Sequence, residues 1–197
     1  MDKNSNNKNF DEFNTSSKIY TDFKKKLQKY LNPYQIKKIE KAFNTARIAH
    51  KGQLRKSGEE YIHHPLSAAS ILADFHLDHE SIMAAILHDV IEDTTIEKGI
   101  LKDTFGVKVA ELVDGVSKLD KLSFSTKEEA DAANLRKMIM AMSQDIRVIL
   151  IKLADRRHNL ETINALNYKQ RKKIGKETLE IFAPIALRLG IHSLNKE

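Results

Sequence analysis

The chain has no cysteine among its 197 residues. This excludes a disulfide framework and a thiolate metal site, so histidine and carboxylate side chains must hold any metal ion. Such ligands favour manganese, iron, magnesium or zinc over a structural cysteine-bound zinc. The N-terminal residues contain no apolar signal core, and no hydrophobic run approaches the length of a membrane span. We therefore expect a cytoplasmic protein.

Internal repeats are absent, and no segment shows a convincing strand-like alternation of apolar and polar residues. A chain of this length should form one domain with a sizeable core. The first 17 residues are polar and rich in asparagine, serine and lysine, which predicts a loose tail over 1–17 and a single domain over 18–197. The expected fold class is all-α.

Helix signals divide the domain. Asn32 is a predicted N-cap followed by Pro33 at the first helical position, and Gly52 should close this helix. Thr126 and Glu129 form an expected capping box. Pro184 should bend the final helix, because proline removes a backbone hydrogen bond. The further predicted helices span about 65–76, 79–92, 96–104, 107–118, 126–142, 145–166 and 168–189, with a mobile connector over 119–126.

The formal net charge is +6, and part of the excess lies in KKKLQK at 24–29 and KQRKKIGK at 169–176. Such runs are usually solvated helix faces. No interleaved aromatic residues or nucleic-acid motif accompany them, so we expect no nucleic-acid partner. A basic rim for a small polyanionic substrate explains the charge equally well.

The segment ILHDVIEDTT at 86–95 is the most informative. With about 3.6 residues per helical turn, His88 lies above Glu92 and Asp89 lies above Asp93. Four titratable side chains would then share one side of an otherwise apolar helix. Carboxylates this close repel one another, and a divalent cation is the simplest partner for them.

Further metal ligands must come from elsewhere in the chain, and two residues are candidates. His64 precedes Pro65, at the expected N-cap edge of the next helix. Asp155 follows the apolar run VILIKLA, where a carboxylate entering a core needs a partner.

These residues together resemble the HD superfamily of metal-dependent phosphohydrolases. The resemblance is closer to the RelA/SpoT-homologue alarmone hydrolase domain and runs from about Asn32 to Ile191. It rests on successive blocks in the same order: RKSGEEYIHHP, LHDVIEDT, FGVKVAELVDGVSKL, DIRVILIKLADRRHN and ETLEIFAPIALRLGI.

The resemblance implies a compact multi-helix HD fold with a divalent metal, expected to be Mn²⁺, between helices. It also implies hydrolysis of guanosine bearing a 3′-diphosphate and a 5′-di- or triphosphate, giving pyrophosphate and GDP or GTP. Glu92 and Asp93 would orient or deprotonate water, with Glu92 the more important. The implied metal ligands are His64, His88, Asp89 and Asp155.

A nucleotide-binding role is also implied for two further groups of residues. Asn159 and Thr162 follow Asp155 on one helical arc, with an amide and a hydroxyl suited to sugar and phosphate oxygens. In the loop GQLRKSGEEY, Arg55 can stack on a purine, Lys56 can attract phosphate and Ser57 can hydrogen-bond a base edge.

The sequence departs from the family pattern ADRLHNMRT, because Arg157 replaces an apolar residue and Glu161 replaces an arginine. No synthetase motif is present, so we expect hydrolysis without synthesis, with a regulatory or synthetase domain as partner if the chain is a fragment. The alternatives are an HD phosphohydrolase for another nucleotide and a non-catalytic alarmone-binding regulatory module.

Overall fold

Helices make up most of residues 18–120 and 145–191, which are the residues described by the computed structural model. Within these ranges, the β pairing is limited to one isolated antiparallel bridge between Leu54 and Glu60. The all-α prediction is therefore confirmed. In chain order, the helices are α1 (18–27), α2 (Pro33–Ala49), α3 (His63–Asp74), α4 (His79–Leu87), α5 (Val90–Asp93), α6 (Lys98–Phe105), α7 (Val107–Asp120), α8 (Ile146–Glu161), α9 (Tyr168–Glu177) and α10 (Ala183–Arg188).

Helix α2 begins as the sequence predicts. The Asn32 side chain accepts from the backbone N–H of Gln35, whose side chain accepts from the backbone N–H of Asn32. This capping box satisfies two N–H groups that the helix itself leaves unpaired. The apolar face of α2 is buried: Ile36, Ile39, Phe43 and Ala46. The helix ends at Ala49, three residues before Gly52, which lies in the following turn at φ 82°.

Helix α1 is not among the predicted helices, although its basic run was interpreted as a solvated helix face. The helix is amphipathic. Phe23 and Leu27 are buried in the main core, while Lys25 projects outward and forms an ion pair with Asp22. Ile19 and Tyr20 pack against the same core, so the apolar face of α1 attaches this helix to the domain.

Two predicted boundaries near the site are wrong. Helix α3 begins at His63, so His64 lies inside its first turn and not at an N-cap edge. Pro65 is tolerated there because N–H groups in a first turn have no helical acceptor. The predicted helix 79–92 is divided into α4 and α5 by a turn at His88 and Asp89.

The C-terminal helices also differ from the prediction. Helix α8 ends at Glu161, and a 3₁₀ turn follows at Ile163–Ala165. A π-helical segment at Thr178–Phe182 interrupts the predicted final helix, and Pro184 then lies in the first turn of α10. The wider turn therefore precedes the proline, which takes a position where its missing N–H costs little.

Some predictions lie wholly or partly outside the described residues. These are the tail over 1–17, the helix over 126–142 and most of the connector over 119–126. The first two residues of that connector, Leu119 and Asp120, belong to helix α7. No helix in the described ranges is both long enough and apolar enough to cross a membrane.

Helix α4 lies at the centre of the fold. Every residue from Ser81 to Leu87 is buried, and the helix packs against α2, α3, α7 and α8. Helix α3 packs in turn against α8. This packing holds three chain segments in fixed positions: the start of α3, the end of α4 and the middle of α8. The histidine and carboxylate residues singled out in the sequence lie on these segments.

Candidate metal centre and adjoining cleft

Three buried side chains from three chain segments converge: His64 on α3, His88 after α4 and Asp155 on α8. Each offers a ligand atom within 4.8 Å of the other two. Asp89 lies beside them, with its Oδ1 3.0 Å from His88 Nε2 and its Oδ2 3.7 Å from His64 Nε2. The structure therefore brings together all four predicted metal ligands.

The turn between α4 and α5 explains how neighbouring residues reach one point. Consecutive side chains on a regular helix point about 100° apart. His88 and Asp89 form a turn between the two helices, with backbone angles that stay in the right-handed helical region, and the His88 ring nitrogen and the Asp89 carboxylate meet there. The prediction of one continuous helical side is wrong, although the grouping of His88 with Asp89 holds.

His88 has a ring nitrogen available for a cation. Its Nδ1 lies 2.8 Å from the carbonyl oxygen of Ala85, which can only accept, so Nδ1 carries the proton. Its Nε2 is buried and faces Asp89 Oδ1 at 3.0 Å and Asp155 Oδ1 at 3.8 Å, but it has no hydrogen-bond partner in suitable geometry. Burial alone would lower the pKa of His88, but the carboxylates of Asp89 and Asp155 outweigh it and raise the pKa to about 9. The surroundings of Nε2 thus favour a positive charge, as a metal site requires.

Asp155 carries its own counter-ion. Burial would raise the pKa of its carboxyl group, but the Lys152 ammonium and the rings of His64 and His88 hold that pKa well below its usual range. Lys152 donates to Oδ2, while the Asn159 amide donates to Oδ1 at 2.7 Å. Asp155 is therefore a fixed, ionised carboxylate. Together with the orphaned nitrogen of His88, it gives a donor set that fits a divalent ion.

A tyrosine not singled out in the sequence holds the acidic side of the cluster. The Tyr61 hydroxyl lies 2.8 Å from Asp89 Oδ2 and 2.7 Å from Asp93 Oδ2. Burial, followed by the charge of Asp89, raises the pKa of Tyr61 well above its usual value, so the phenol keeps its proton. Its position three residues before His64 is the feature of the sequence that could have indicated a place near the metal cluster. Asp93 is thus linked to the candidate ligand Asp89.

Glu92 is held by a different element. The hydroxyl of Ser117 on α7 donates to Glu92 Oε1 at 2.5 Å. The second carboxylate oxygen of Glu92 has no such contact with Ser117, and the residue is exposed. The carboxylate is therefore oriented at one oxygen while remaining accessible at the surface.

A cleft of about 250 Å³ adjoins the cluster. Its lining residues include four of the five predicted nucleotide contacts: Arg55, Lys56, Ser57 and Thr162. The other lining residues are Leu54, Tyr61, Ala165 and Leu166. Because Tyr61 lines the cleft and also binds Asp89, the cleft and the candidate metal cluster share a wall.

The basic loop is a closed turn. The Leu54–Glu60 bridge spans it, the backbone N–H of Arg55 donates to Glu59 O at 2.9 Å, and Gly58 takes φ 88°. Only glycine adopts such a φ at little cost, so the turn depends on Gly58. The backbone of Arg55, from which its side chain extends, is therefore held in place by the loop.

The Arg55 guanidinium is fixed along its edge. Its Nη1 lies 3.1 Å from His158 Nδ1, and its Nη2 donates to Asn159 Oδ1 at 2.8 Å. Hydrogen bonds use the edge of a guanidinium, whereas stacking uses its face. Asn159, the fifth predicted contact, therefore connects Arg55 to Asp155. His158 was not singled out in the sequence, although it lies in the block ADRRHN.

The two departures from the family pattern neutralise each other. Arg157 Nε donates to Glu161 Oε1 at 3.0 Å in an i,i+4 pair. The side chains are 28% and 35% exposed, so the pair lies at the surface. The negative charge of Glu161 is therefore compensated within the same helix.

Comparison with known proteins agrees with this architecture. A family model described as "HD domain" matches residues 42–192. The chain therefore belongs to the HD-domain family. Similarity to SpoT proteins extends over most of the chain, which confirms the resemblance to the RelA/SpoT-homologue hydrolase domain.

Two curated relatives show the extent of the similarity. The bifunctional (p)ppGpp synthase/hydrolase SpoT of Escherichia coli K12 is 58% identical over 171 residues, which cover 87% of this chain and 24% of that protein. The guanosine-3′,5′-bis(diphosphate) 3′-pyrophosphohydrolase of Aquifex aeolicus is 45% identical over 176 residues, covering 89% of this chain and 25% of that protein. The chain thus spans about a quarter of their length.

A solved structure is also similar. It is described as a metazoan orthologue of SpoT that hydrolyses ppGpp and plays a role in starvation responses. The TM-score is 0.59 with 25% sequence identity, and the match covers 79% of this chain and 86% of that one.

Proposed function

We propose that this chain is a metal-dependent 3′-pyrophosphohydrolase of (p)ppGpp, releasing pyrophosphate and GDP or GTP. The observation that supports this proposal best is the position of buried His64, His88 and Asp155, with the half-buried Asp89 beside them, next to a cleft with basic and hydroxyl side chains. Relatives named for this activity at 45% and 58% identity support the proposal.

The four residues of the cluster would hold a divalent ion, for which we propose Mn²⁺. Two imidazoles and two carboxylates suit a hard-to-borderline cation. When bound, such an ion polarises a phosphoryl group and lowers the pKa of water. The protein holds its own ligands in place beforehand: Ala85 orients His88, Tyr61 orients Asp89, and Asn159 orients Asp155.

Glu92 is the proposed general base. Ser117 binds one of its oxygens, which fixes the carboxylate and leaves the other oxygen to take a proton from water. The Tyr61 hydroxyl contacts both Asp93 and Asp89. The proposed role of Asp93 is therefore to help hold Tyr61, and through it the candidate ligand Asp89, in position. In this proposal Glu92 transfers the proton and Asp93 positions a metal ligand.

The cleft would bind the guanosine part of the substrate. Arg55, held by its edge, can present its face to a purine. Lys56 adds a positive charge, and Ser57 and Thr162 add hydroxyl groups. Asn159 lies between Arg55 and Asp155, a position suited to a ribose oxygen. With the base in the cleft, the 3′-diphosphate would extend toward the metal cluster.

The test is incubation of the purified chain with ppGpp and Mn²⁺, followed by chromatography of the products. Pyrophosphate and GDP in equal amounts are expected, and EDTA should stop the reaction until Mn²⁺ is restored. His88→Ala and Asp155→Ala should each abolish turnover and lower bound Mn²⁺. Full activity in either variant would overturn the proposed metal site.

The same assay separates the alternatives. Stepwise loss of single phosphates, or equal activity on GTP, would identify a phosphohydrolase for another nucleotide. Tight binding of ppGpp with no product in any divalent metal would identify a regulatory module.

A further inference from the structure

The rings of His64 and His158 meet nitrogen to nitrogen. Their Nδ1 atoms are 2.8 Å apart, and the ring of His64 is buried. Two nitrogens at this distance need one proton between them, so one Nδ1 must donate and the other must accept. Which ring donates determines which nitrogen of His64 remains for a metal ion.

The contact between Arg55 and His158 indicates which of the two rings accepts. A guanidinium carries only donors, and Arg55 Nη1 lies 3.1 Å from the same Nδ1 of His158. With a cation on His64 Nε2, the proton of that ring lies on Nδ1, so His158 Nδ1 is the acceptor and shares its single lone pair between His64 Nδ1 and Arg55 Nη1. The Nε2 of His64 lies 3.0 Å from Asp155 Oδ1 within the ligand cluster.

We propose that His158 is a positioning residue for the candidate ligand His64. Arg55 keeps His158 Nδ1 an acceptor, and this acceptor holds the proton of His64 on Nδ1. Through this relay the loop that receives the purine also fixes the tautomer and ring orientation of a metal ligand. The relay rests on the proposed metal site. It adds that Arg55, which contacts no ligand atom directly, contributes to metal affinity even when no nucleotide is bound.

The first test compares two variants of similar shape at His158. His158→Leu removes the acceptor, whereas His158→Asn retains an oxygen close to the position of Nδ1. Mn²⁺ affinity is measured without nucleotide, by isothermal titration and by electron paramagnetic resonance of free Mn²⁺. The leucine variant should bind Mn²⁺ about 10- to 100-fold more weakly, as expected for loss of an outer partner of a ligand. The asparagine variant should recover most of the affinity.

Equal affinities in the two variants would overturn the relay, because the loss would then not depend on the acceptor. Circular dichroism in EDTA establishes that both variants are folded.

The second test uses Arg55→Met, which lies on a surface loop and does not depend on repacking around His158. Electrostatics alone predicts tighter Mn²⁺ binding, because the variant loses a positive charge near the site. The relay predicts weaker binding, because His64 Nδ1 is no longer forced to donate. Unchanged or tighter Mn²⁺ binding by Arg55→Met would overturn the proposal.

Failure of the relay is distinguishable from failure of the proposed function. If the wild-type chain takes up no Mn²⁺, the metal site and the relay are both wrong. If it binds Mn²⁺ and hydrolyses ppGpp while His158→Leu and Arg55→Met bind Mn²⁺ as tightly, the relay alone is wrong. Ring-nitrogen NMR gives an independent readout, since His64 of the wild type should carry its proton on Nδ1 when a diamagnetic divalent ion is bound.

Discussion

Lys152 lies one helical turn before Asp155 and donates to Asp155 Oδ2, so the candidate metal ligand has a counter-ion supplied by its own helix. Both side chains are buried. The other carboxylate oxygen, Oδ1, is the one that faces His64. The ion pair thus sets both the charge of Asp155 and the oxygen available to a metal.

Lys152→Met should destabilise the metal-free protein. It leaves a buried carboxylate without its cation, which should lower the free energy of unfolding by about 3 kcal/mol. Urea denaturation in EDTA measures the loss, and Mn²⁺ should reduce it. In the control Lys152→Met/Asp155→Asn the charge is gone, so most stability should return. An equal loss in the double variant would mean that packing, and not charge, is responsible.

Glu92→Gln keeps the shape of the side chain but removes the proposed base. We expect kcat to fall by about two to four decades, with Mn²⁺ and nucleotide binding retained. Ser117→Ala should give a smaller loss of kcat, because it frees the carboxylate without removing it. If Glu92→Gln abolishes Mn²⁺ binding instead, Glu92 is a ligand and the assignment is wrong.

Arg55→Ala, assayed at saturating Mn²⁺, should raise KM for ppGpp more than it lowers kcat. Stacking on the base stabilises the ground state and the transition state alike. An increase in KM of roughly 5- to 30-fold corresponds to a contact worth about 1–2 kcal/mol. Arg55→Lys keeps the charge but lacks the planar face, so it should recover little. Full recovery with lysine would mean that charge alone matters.

Asp145→Asn should remove part of the acid sensitivity of folding. The Arg147 side chain, with Lys108, holds the pKa of Asp145 well below its usual value. A depressed folded-state pKa stabilises the fold above the unfolded-state value, near 4, and this contribution is lost as the pH falls toward the folded-state pKa. The wild type should therefore be more stable at pH 7, with the difference shrinking below about pH 4. Thermal unfolding across pH measures this, and a difference independent of pH would contradict it. Asparagine retains the N-cap of α8, so helix capping is controlled for.

Gly115→Ala should weaken the contact between α7 and α8. A Cβ at this position would lie 2.8 Å from Cγ2 of Val148, a stiff side chain that cannot easily move aside. We expect a loss of about 1–3 kcal/mol in the free energy of unfolding. Gly175→Ala, with no atom near its new Cβ, should instead stabilise α9 by roughly 0.5–1 kcal/mol. Similar effects at both positions would show that helix propensity dominates.

Much of the fold could be predicted from local signals. Capping residues such as Asn32 act within one turn, so the start of α2 follows from sequence alone. The π-helical turn before Pro184 and the break at His88 were not predictable in the same way. Hydrophobic periodicity does not reveal where a helix is interrupted, because an interruption of one turn leaves the apolar pattern almost unchanged.

The residues of the candidate site also differ in how far the sequence could predict them. His88, Asp89 and Asp155 were identifiable because charged residues within apolar runs need partners. Tyr61, Lys152 and Ser117 were missed, because their importance lies in contacts that the fold creates. A tyrosine in a polar loop carries no sign that its hydroxyl will lie between two carboxylates. The roles of all these residues remain predictions until the variants are measured.

The convergence of His64, His88 and Asp155 from three chain segments has a consequence for the conformational entropy of the chain. An ion held by these side chains would close two long loops, one of them containing α6, α7 and residues 121–144. The unfolded chain cannot hold the ion in this geometry, so the binding free energy would add to the free energy of unfolding. The midpoint of thermal unfolding would then rise with ion concentration, and it would report occupancy of the cluster before any nucleotide is added.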